Sequence, residues 1–176
     1  MTPNLSNLKV LVVDDSPHMR VLIRNILKGL GIYTILEAAN GQDALEVVKC
    51  NHIDVAIADL NMEPVNGMEF LASVRRSKDS PNPFLPVILA TGDSRIPTIK
   101  AARDAGVNAF LTKPVSVKTL AERLFFVLQD RRKFIRAKTF FGPDRRFRVD
   151  DGGGAHPRRR SSDGANSKAT KEKVKA

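Results

Sequence analysis

The amino-acid sequence predicts an α/β protein with a doubly wound, five-stranded parallel sheet and helices on both faces. Two observations lead to this prediction. Five short apolar runs rich in branched residues alternate with segments whose apolar residues recur at helical spacing. The strongest runs lack polar alternation, which is typical of strands buried on both faces of a parallel sheet. Strands that alternate with helices pair in parallel through right-handed crossovers.

The five predicted strands are short, and a polar residue directly follows four of them. They cover residues 9–13, 33–38, 53–58, 86–90 and 108–111. The run 55–58 is wholly apolar and ends directly at Asp59. Taken alone, that aspartate also fits a residue that merely opens a turn.

Helix start signals follow the strands. Ser16 is a suitable N-cap with Pro17 in the first helical turn, and Gly29 and Gly31 mark the end of the first helix. The other predicted helices begin at Asn40-Gly41, Gly67, Pro97 and Ser116. We expect the last helix to continue to about Arg136.

The charge of the chain is concentrated in its last quarter. Residues 1–130 carry 14 Lys and Arg against 14 Asp and Glu, whereas residues 131–176 carry 15 against 5. We therefore predict a neutral domain over 1–130 and a basic C-terminal extension over 131–176. Beyond about residue 136 the extension is poor in apolar residues, so we expect it to be mostly disordered.

Several protein classes are excluded or disfavoured by pattern. No apolar run reaches the roughly 18 residues of a membrane span, and the N-terminus lacks the pattern of a signal peptide. We expect a cytoplasmic protein without an integral membrane segment. Cys50 is the only cysteine, so an intramolecular disulfide is impossible. Neither a GxGxxG nor a P-loop motif is present, which disfavours a dinucleotide enzyme or a P-loop NTPase.

Four predicted strands are followed by residues suited to phosphoryl chemistry. These residues are Asp14-Asp15, Asp59, Thr91 and Lys113. The carboxyl ends of parallel strands meet at one edge of a sheet, so we expect the side chains to converge there. Clustered carboxylates repel one another, and a bound Mg²⁺, which prefers oxygen ligands, relieves that repulsion. A carboxylate nucleophile with a metal, an ammonium and a hydroxyl is what an aspartyl phosphate requires.

The order of these motifs resembles the receiver domain of two-component response regulators, over roughly residues 8–130. Each motif alone also fits an ordinary turn or loop, and their joint occurrence at strand ends favours the resemblance. It implies a chemotaxis-regulator-like receiver of the single-domain type, here with a basic tail. It also implies the flavodoxin-like strand order 2-1-3-4-5.

The resemblance implies a role for each residue of the acidic site. Asp59 is the phosphoacceptor. Asp15 and Asp59 ligate Mg²⁺ together with the backbone carbonyl of Asn61, and Asp14 supports the metal. Lys113 pairs with Asp59 and then with the phosphoryl group.

The resemblance also implies switch and tuning residues. Thr91 binds the phosphoryl group, and Phe110 occupies the aromatic switch position three residues before Lys113. Asn61 and Asp93 stand where the family tunes self-dephosphorylation. The Lys113–Pro114 bond is expected to be cis. The chain departs from the family pattern at Pro64, which comes one place late after Asp59, so the loop there is expected to bend differently.

These roles imply a phosphoacceptor signalling protein rather than an enzyme, beyond its own phosphorylation and dephosphorylation. The phosphoryl donor is a sensor histidine kinase or a histidine phosphotransfer protein, and the output is contact with a further protein. An alternative function is phosphorylation-controlled binding of nucleic acid or another polyanion through the tail, where Phe and Arg are interleaved. The tail fits equally well a solubilising appendage in which Phe140-Phe141 folds back on the receiver. A haloacid-dehalogenase-type phosphatase is disfavoured, because Asn61 stands where a second Asp is needed.

Overall fold

The computed structural model describes residues 5–92, 95–137, 140–144, 147–149 and 155–157. The chain divides into two compact units, Met1–Arg145 and Arg146–Ala176. In the second unit, strands β8 (Phe147–Val149) and β9 (Ala155–Pro157) pair antiparallel.

The first unit is built on a five-stranded parallel sheet. Its strands are β1 (Lys9–Val13), β2 (Thr34–Ala38), β3 (Val55–Asp59), β4 (Val87–Thr91) and β5 (Ala109–Thr112). Their order is β2-β1-β3-β4-β5, and every pairing is parallel. This confirms the predicted fold class and strand order. The chain reverses its direction of winding between β1 and β3, so a crevice opens at their carboxyl ends.

Five helices flank the sheet, each starting close to its predicted position. They are α1 (Pro17–Gly29), α2 (Gly41–Cys50), α3 (Gly67–Arg76), α4 (Ile96–Asp104) and α5 (Val117–Leu128). Side-chain caps fix most of their starts: Ser16, Asn40, Asn66 and Ser116 each accept a hydrogen bond from a backbone N–H in the first turn.

Strand β3 lies in the middle of the sheet, and all five of its residues are buried. Ala56 and Ala58 contribute to an apolar cluster with residues of α2 and α3, whereas Val55 and Ile57 contribute to a second cluster with residues of α1 and α5. Successive side chains of a strand point to opposite faces, so an uninterrupted apolar run is what two covered faces require.

The C-terminal end of the domain differs from the prediction. Helix α5 ends at Leu128 and does not continue to Arg136. Phe134–Arg136 instead forms strand β6, which pairs antiparallel with β7 (Phe141–Pro143), a segment expected to contain no regular element. Asp130 explains the break: its Oδ1 accepts hydrogen bonds from the backbone N–H and the Nε of Arg132, at 3.0 and 2.8 Å, which turns the chain out of the helix.

The β6–β7 hairpin packs on the end of the sheet opposite the acidic residues. The rings of Phe134 and Phe141 lie 5.1 and 5.3 Å from that of Phe84, in edge-to-face arrangements. Gly106 follows α4 with φ +94°, and Phe141 and Gly142 lie so close to it that no side chain would fit. The compact unit therefore extends to Arg145, beyond the boundary at residue 130 that composition indicated. Residues 158–176, where disorder was expected, lie outside the described residues.

Within the described ranges, none of the helices combines the length and the apolar character that a membrane span requires.

Candidate functional site

Three strands deliver an ion-pair cluster to the carboxyl edge of the sheet. Asp14 follows β1, Asp59 ends β3 and Lys113 follows β5. The Lys113 Nζ lies 2.9 Å from Asp59 Oδ2 and 3.1 Å from Asp14 Oδ2. Both aspartates are buried, whereas the Lys113 side chain is 24% exposed. One ammonium group is therefore shared between two buried carboxylates.

A third carboxylate completes the acidic cluster. Asp14, Asp15 and Asp59 each offer a carboxylate oxygen, and these oxygens all lie within 4.8 Å of one another. Asp15 is exposed, so it forms the open side of the cluster. Three carboxylates against one ammonium leave an excess of negative charge, and oxygen ligands at this spacing suit a hard divalent cation such as Mg²⁺. The residues present therefore fit a metal site.

Burial and charge act in opposite directions on the central pair. Burial raises the pKa of Asp59, its contacts with Lys113 lower it, and the charge of Asp14 raises it, so the net direction is upward. Burial lowers the pKa of Lys113, but its hydrogen bonds to Asp59 and Asp14 outweigh burial and raise it overall. The site thus pairs a carboxylate whose charged form is disfavoured by burial with an ammonium whose protonated form is favoured by the neighbouring carboxylates.

Every polar group of Asp14 is held in place. Its Oδ1 accepts a hydrogen bond from the Ser16 N–H at 2.9 Å, and its own N–H donates to the Ala38 carbonyl at 3.2 Å. Its carbonyl accepts from the Arg20 Nη1 at 2.7 Å. Arg20 is not among the residues predicted for the site, because no local pattern marks it and its contact forms only when α1 folds back over the end of β1.

The loop after Asp59 is set by the start of α3. Asn66 caps this helix and forms a reciprocal capping box with Glu69. The Gly67 N–H donates to the Leu60 carbonyl at 3.1 Å, and a Cβ at Gly67 would collide with the Asp59 carbonyl. The Glu63–Pro64 bond, at the position of the displaced proline, is cis. The loop therefore differs in sequence from the family pattern while its glycine still lies against the Asp59 backbone.

Thr91 and Phe110, two further residues predicted from the sequence, differ in their position relative to the site. Thr91 is buried at the end of β4, and its carbonyl accepts a hydrogen bond from the Lys113 N–H at 2.9 Å, which puts it at the same edge. Phe110 lies opposite Leu89 in the sheet, is partly buried and packs against the apolar cluster on one face. Phe110 is therefore adjacent to the site through the β5 backbone rather than part of it.

Asn61 is exposed and lines an open cleft of about 930 Å³ together with Asp15. The loop residue Met62, Met68 of α3 and Thr98 of α4 line the same cleft. The Lys113–Pro114 bond is cis. Asp93, the second residue assigned to dephosphorylation, lies outside the described residues.

Comparison with known proteins identifies the same pattern. A family model described as the response regulator receiver domain matches residues 10–125. The chain is 35% identical over 118 residues to the chemotaxis protein CheY-3 of Vibrio cholerae serotype O1, covering 67% of this chain and 89% of that relative. It is 34% identical over 117 residues to the chemotaxis protein CheY of Pseudomonas aeruginosa, covering 66% and 93%.

Solved structures agree with these relatives. The chemotaxis response regulator CheY4 of Vibrio cholerae matches with a TM-score of 0.62 and 32% identity, covering 68% of this chain and 98% of that one. A putative response regulator from Chloroflexus aurantiacus matches with a TM-score of 0.64 and 28% identity, covering 70% and 98%. The chain belongs to the response regulator receiver domain family, with the fold of the CheY-like receivers.

Proposed function

We propose that Asp59 of this receiver accepts a phosphoryl group from a phosphohistidine and that Mg²⁺ assists the transfer. The observation that carries this proposal is the 2.9 Å contact between Lys113 Nζ and Asp59 Oδ2 inside a cluster of three carboxylates. A buried nucleophile with a fixed cation beside it is the arrangement that phosphoryl transfer needs, because charge develops on the phosphoryl oxygens.

Three residues of the site have a part in this transfer. A carboxylate oxygen of Asp59 attacks phosphorus, the bond from phosphorus to the histidine nitrogen breaks, and that nitrogen keeps the electron pair and takes up a proton. The product is an acyl phosphate on Asp59. The Lys113 ammonium, already 2.9 Å away, is placed to neutralise a phosphoryl oxygen. Thr91, at the same edge, supplies a hydroxyl donor to the phosphoryl group.

The metal would be held by Asp15, Asp59 and the backbone carbonyl of Asn61, with Asp14 supporting it. When bound, Mg²⁺ neutralises charge on the transferring group and relieves the repulsion among the carboxylates. Asn61, exposed in the cleft beside Asp15, together with Asp93, would tune the rate at which water removes the phosphoryl group.

We infer the route of the output from Thr91 and Phe110, which lie on β4 and β5. Movement of Thr91 toward a phosphoryl group, with Phe110 following, would alter the face formed by α4, β5 and α5. Receivers of the CheY-like type interact with histidine kinases or phosphotransfer proteins and with output targets. For this chain we propose a phosphohistidine-bearing donor and an output protein that recognises that face. It would act as a signalling protein whose only chemistry is its own phosphorylation and dephosphorylation.

The alternative of polyanion binding through the tail receives no support from the comparisons, because the family match ends at residue 125. The first part of the tail is moreover occupied in packing, since Phe134 and Phe141 contact Phe84 within the receiver.

The test is phosphorylation of the full chain by acetyl phosphate with Mg²⁺. We expect intact mass to show the addition of one acid-labile phosphoryl group, and Asp59→Asn to abolish it. Asp79→Asn removes an exposed carboxylate away from the site and serves as the matched control, which should be phosphorylated like the wild type. Undiminished labelling of Asp59→Asn would disprove the assignment.

A further inference from the structure

Arg20 links the acidic site to the neighbouring strand. It lies in the N-terminal part of α1, and its Nη1 donates to the Asp14 carbonyl at 2.7 Å. Its Nε lies 3.4 Å from Glu37 Oε2, and the Arg24 Nη1 lies 2.7 Å from Glu37 Oε1. Glu37 is a residue of β2 and stands opposite Val12 of β1. Glu37 thus anchors Arg20, and Arg20 holds a backbone group of the site.

The position of Arg20 in its helix needs an explanation from tertiary contacts. A cation near the N-terminus of a helix opposes the helix dipole, and the first turn of α1 holds no acidic residue to offset it. The Arg20 side chain is only 19% exposed. Its hydrogen bond to the Asp14 carbonyl and its ion pair with Glu37 offset the unfavourable interaction with the helix dipole and the cost of burial. The position of Arg20 is therefore set by these tertiary contacts.

The carbonyl that Arg20 holds belongs to the peptide group between Asp14 and Asp15. The Asp14 side chain is already fixed by Ser16 and Lys113. Asp15 is exposed, so its carboxylate depends on the orientation of its own backbone for its place in the cluster. Fixing the plane of this peptide therefore acts mainly on Asp15.

We propose that Arg20 is a positioning residue that orients the Asp14–Asp15 peptide so that the Asp15 carboxylate is presented to Mg²⁺. This inference rests on the metal site of the proposed function. Groups that orient a metal ligand through a hydrogen bond typically contribute 10- to 100-fold in metal affinity.

The charge of Arg20 alone predicts the opposite effect on Mg²⁺ affinity, so the direction of the change in affinity distinguishes positioning from electrostatic repulsion. A guanidinium close to a cation site repels the cation, so its removal would tighten Mg²⁺ binding. Loss of positioning would weaken binding instead. Arg24 provides a matched control, because it carries the same charge and contacts the same Glu37 but has no hydrogen bond to Asp14 among the described contacts.

The experiment measures Mg²⁺ binding to the full chain by isothermal titration calorimetry for the wild type, Arg20→Met, Arg20→Lys and Arg24→Met. We expect Arg20→Met to raise the Kd for Mg²⁺ about tenfold. Arg20→Lys should recover part of this loss, since its ammonium can still donate to the Asp14 carbonyl. Arg24→Met should stay within about twofold of the wild type or bind more tightly, as the electrostatic effect requires.

A kinetic readout separates positioning from a general defect. The rate of phosphorylation by acetyl phosphate should need more Mg²⁺ in Arg20→Met but approach the wild-type rate at saturating Mg²⁺. Circular dichroism melting of each variant verifies that it is folded.

The outcomes are distinguishable. A Kd for Arg20→Met equal to or below that of the wild type overturns the role of Arg20, as does an Arg20→Lys variant as weak as Arg20→Met. A wild-type chain that fails to bind Mg²⁺ at all overturns the proposed function itself, and the role of Arg20 with it.

Discussion

Lys113 and Asp59 meet at the carboxyl edge of the sheet, with Nζ 2.9 Å from Oδ2, although 53 residues separate them in the sequence. The same ammonium lies 3.1 Å from Asp14. Lys113 is therefore the one residue that compensates both buried carboxylates among the ion pairs described for the site. Its removal should affect stability and chemistry together.

Lys113→Ala should slow phosphorylation by acetyl phosphate by at least tenfold, because the phosphoryl oxygens lose a fixed cation. It should also destabilise the fold by about 1–2 kcal/mol, less than the ~3–5 kcal/mol typical of fully buried pairs, since the lysine is partly exposed. Urea unfolding and a labelling time course measure the two effects. The exposed Lys118→Ala is the control, and equal labelling rates in both variants would contradict the role.

Asp59→Asn should increase stability at pH 7 when no divalent cation is present. The pKa of Asp59 is raised in the folded protein, so the folded state binds a proton more readily than the unfolded chain. Folding stability therefore falls as pH rises from the ordinary aspartate range through the raised value. The asparagine variant escapes this loss, and we expect a gain of about 1 kcal/mol at pH 7, the usual size of a single-site effect.

The gain from Asp59→Asn should shrink as the pH is lowered below the raised pKa, because the wild-type side chain is then also neutral. Urea unfolding in EDTA at pH 7 and at acidic pH, followed by circular dichroism, measures it. A variant less stable than the wild type at pH 7 would show that the attraction of Lys113 outweighs burial.

Added Mg²⁺ should make the wild type more stable than Asp59→Asn. A cation that binds only the folded state stabilises it in proportion to the logarithm of its concentration. The wild-type melting temperature should rise with Mg²⁺, and that of Asp59→Asn should rise less because one ligand has lost its charge. NaCl at the ionic strength of the MgCl₂ solution controls for general salt effects, and an equal rise with Mg²⁺ in both proteins would argue against the site.

Gly67→Ala should impair the site by displacing the backbone of Asp59. The added Cβ would collide with the Asp59 carbonyl, which belongs to the backbone and cannot rotate away. We expect a loss of about 1–3 kcal/mol in stability, typical of overpacking, and slower labelling of Asp59. Gly29→Ala is the matched control, since nothing lies within 4 Å of a Cβ there and alanine favours the helix. A Gly67→Ala variant as stable as the wild type would show that the loop relaxes freely.

Truncation should separate the two parts of the C-terminal extension. Ending the chain after residue 145 should leave the melting temperature of the receiver nearly unchanged, because residues 146–176 form a separate compact unit. Ending it after residue 130 should lower the melting temperature by several degrees, since it removes Phe134 and Phe141, whose rings pack against Phe84.

Phe134→Ala in the full chain tests the same contact without truncation. This ring also lies 5.2 Å from the Arg75 guanidinium, which is buried and donates to the carbonyls of Leu85 and Gly106. We expect a loss of about 1–3 kcal/mol in urea unfolding, below the value for a fully buried phenylalanine because the ring is partly exposed. Equal melting of the 130- and 145-residue chains would contradict a structural role of the hairpin.

Much of the fold could be predicted from sequence because its signals are local. Wholly apolar runs such as that of β3 mark strands with two covered faces, and Ser16, Asn66 and Ser116 mark helix starts through hydrogen bonds to the first turn. The direction of the strands follows from their alternation with helices.

The sequence was sufficient to predict which residues form the candidate site. Asp14, Asp15, Asp59, Thr91 and Lys113 each stand at a strand end, so the topology alone brings them to one edge.

Other features depended on contacts between distant residues. Composition placed the domain boundary at residue 130, because the excess of basic residues begins there. The phenylalanines of the tail indicated possible packing on the receiver, but not that Phe134 and Phe141 would contact Phe84. Arg20 likewise looks like any exposed helical cation until α1 packs back over β1. Up to the end of α5, local preferences were enough to predict the strands, the helices and the groups that end the strands, because these preferences act over a few residues. The packing of distant segments decided that Lys113 contacts both Asp14 and Asp59, that Arg20 reaches the Asp14 carbonyl, and that residues 134–136 and 141–143 form a hairpin.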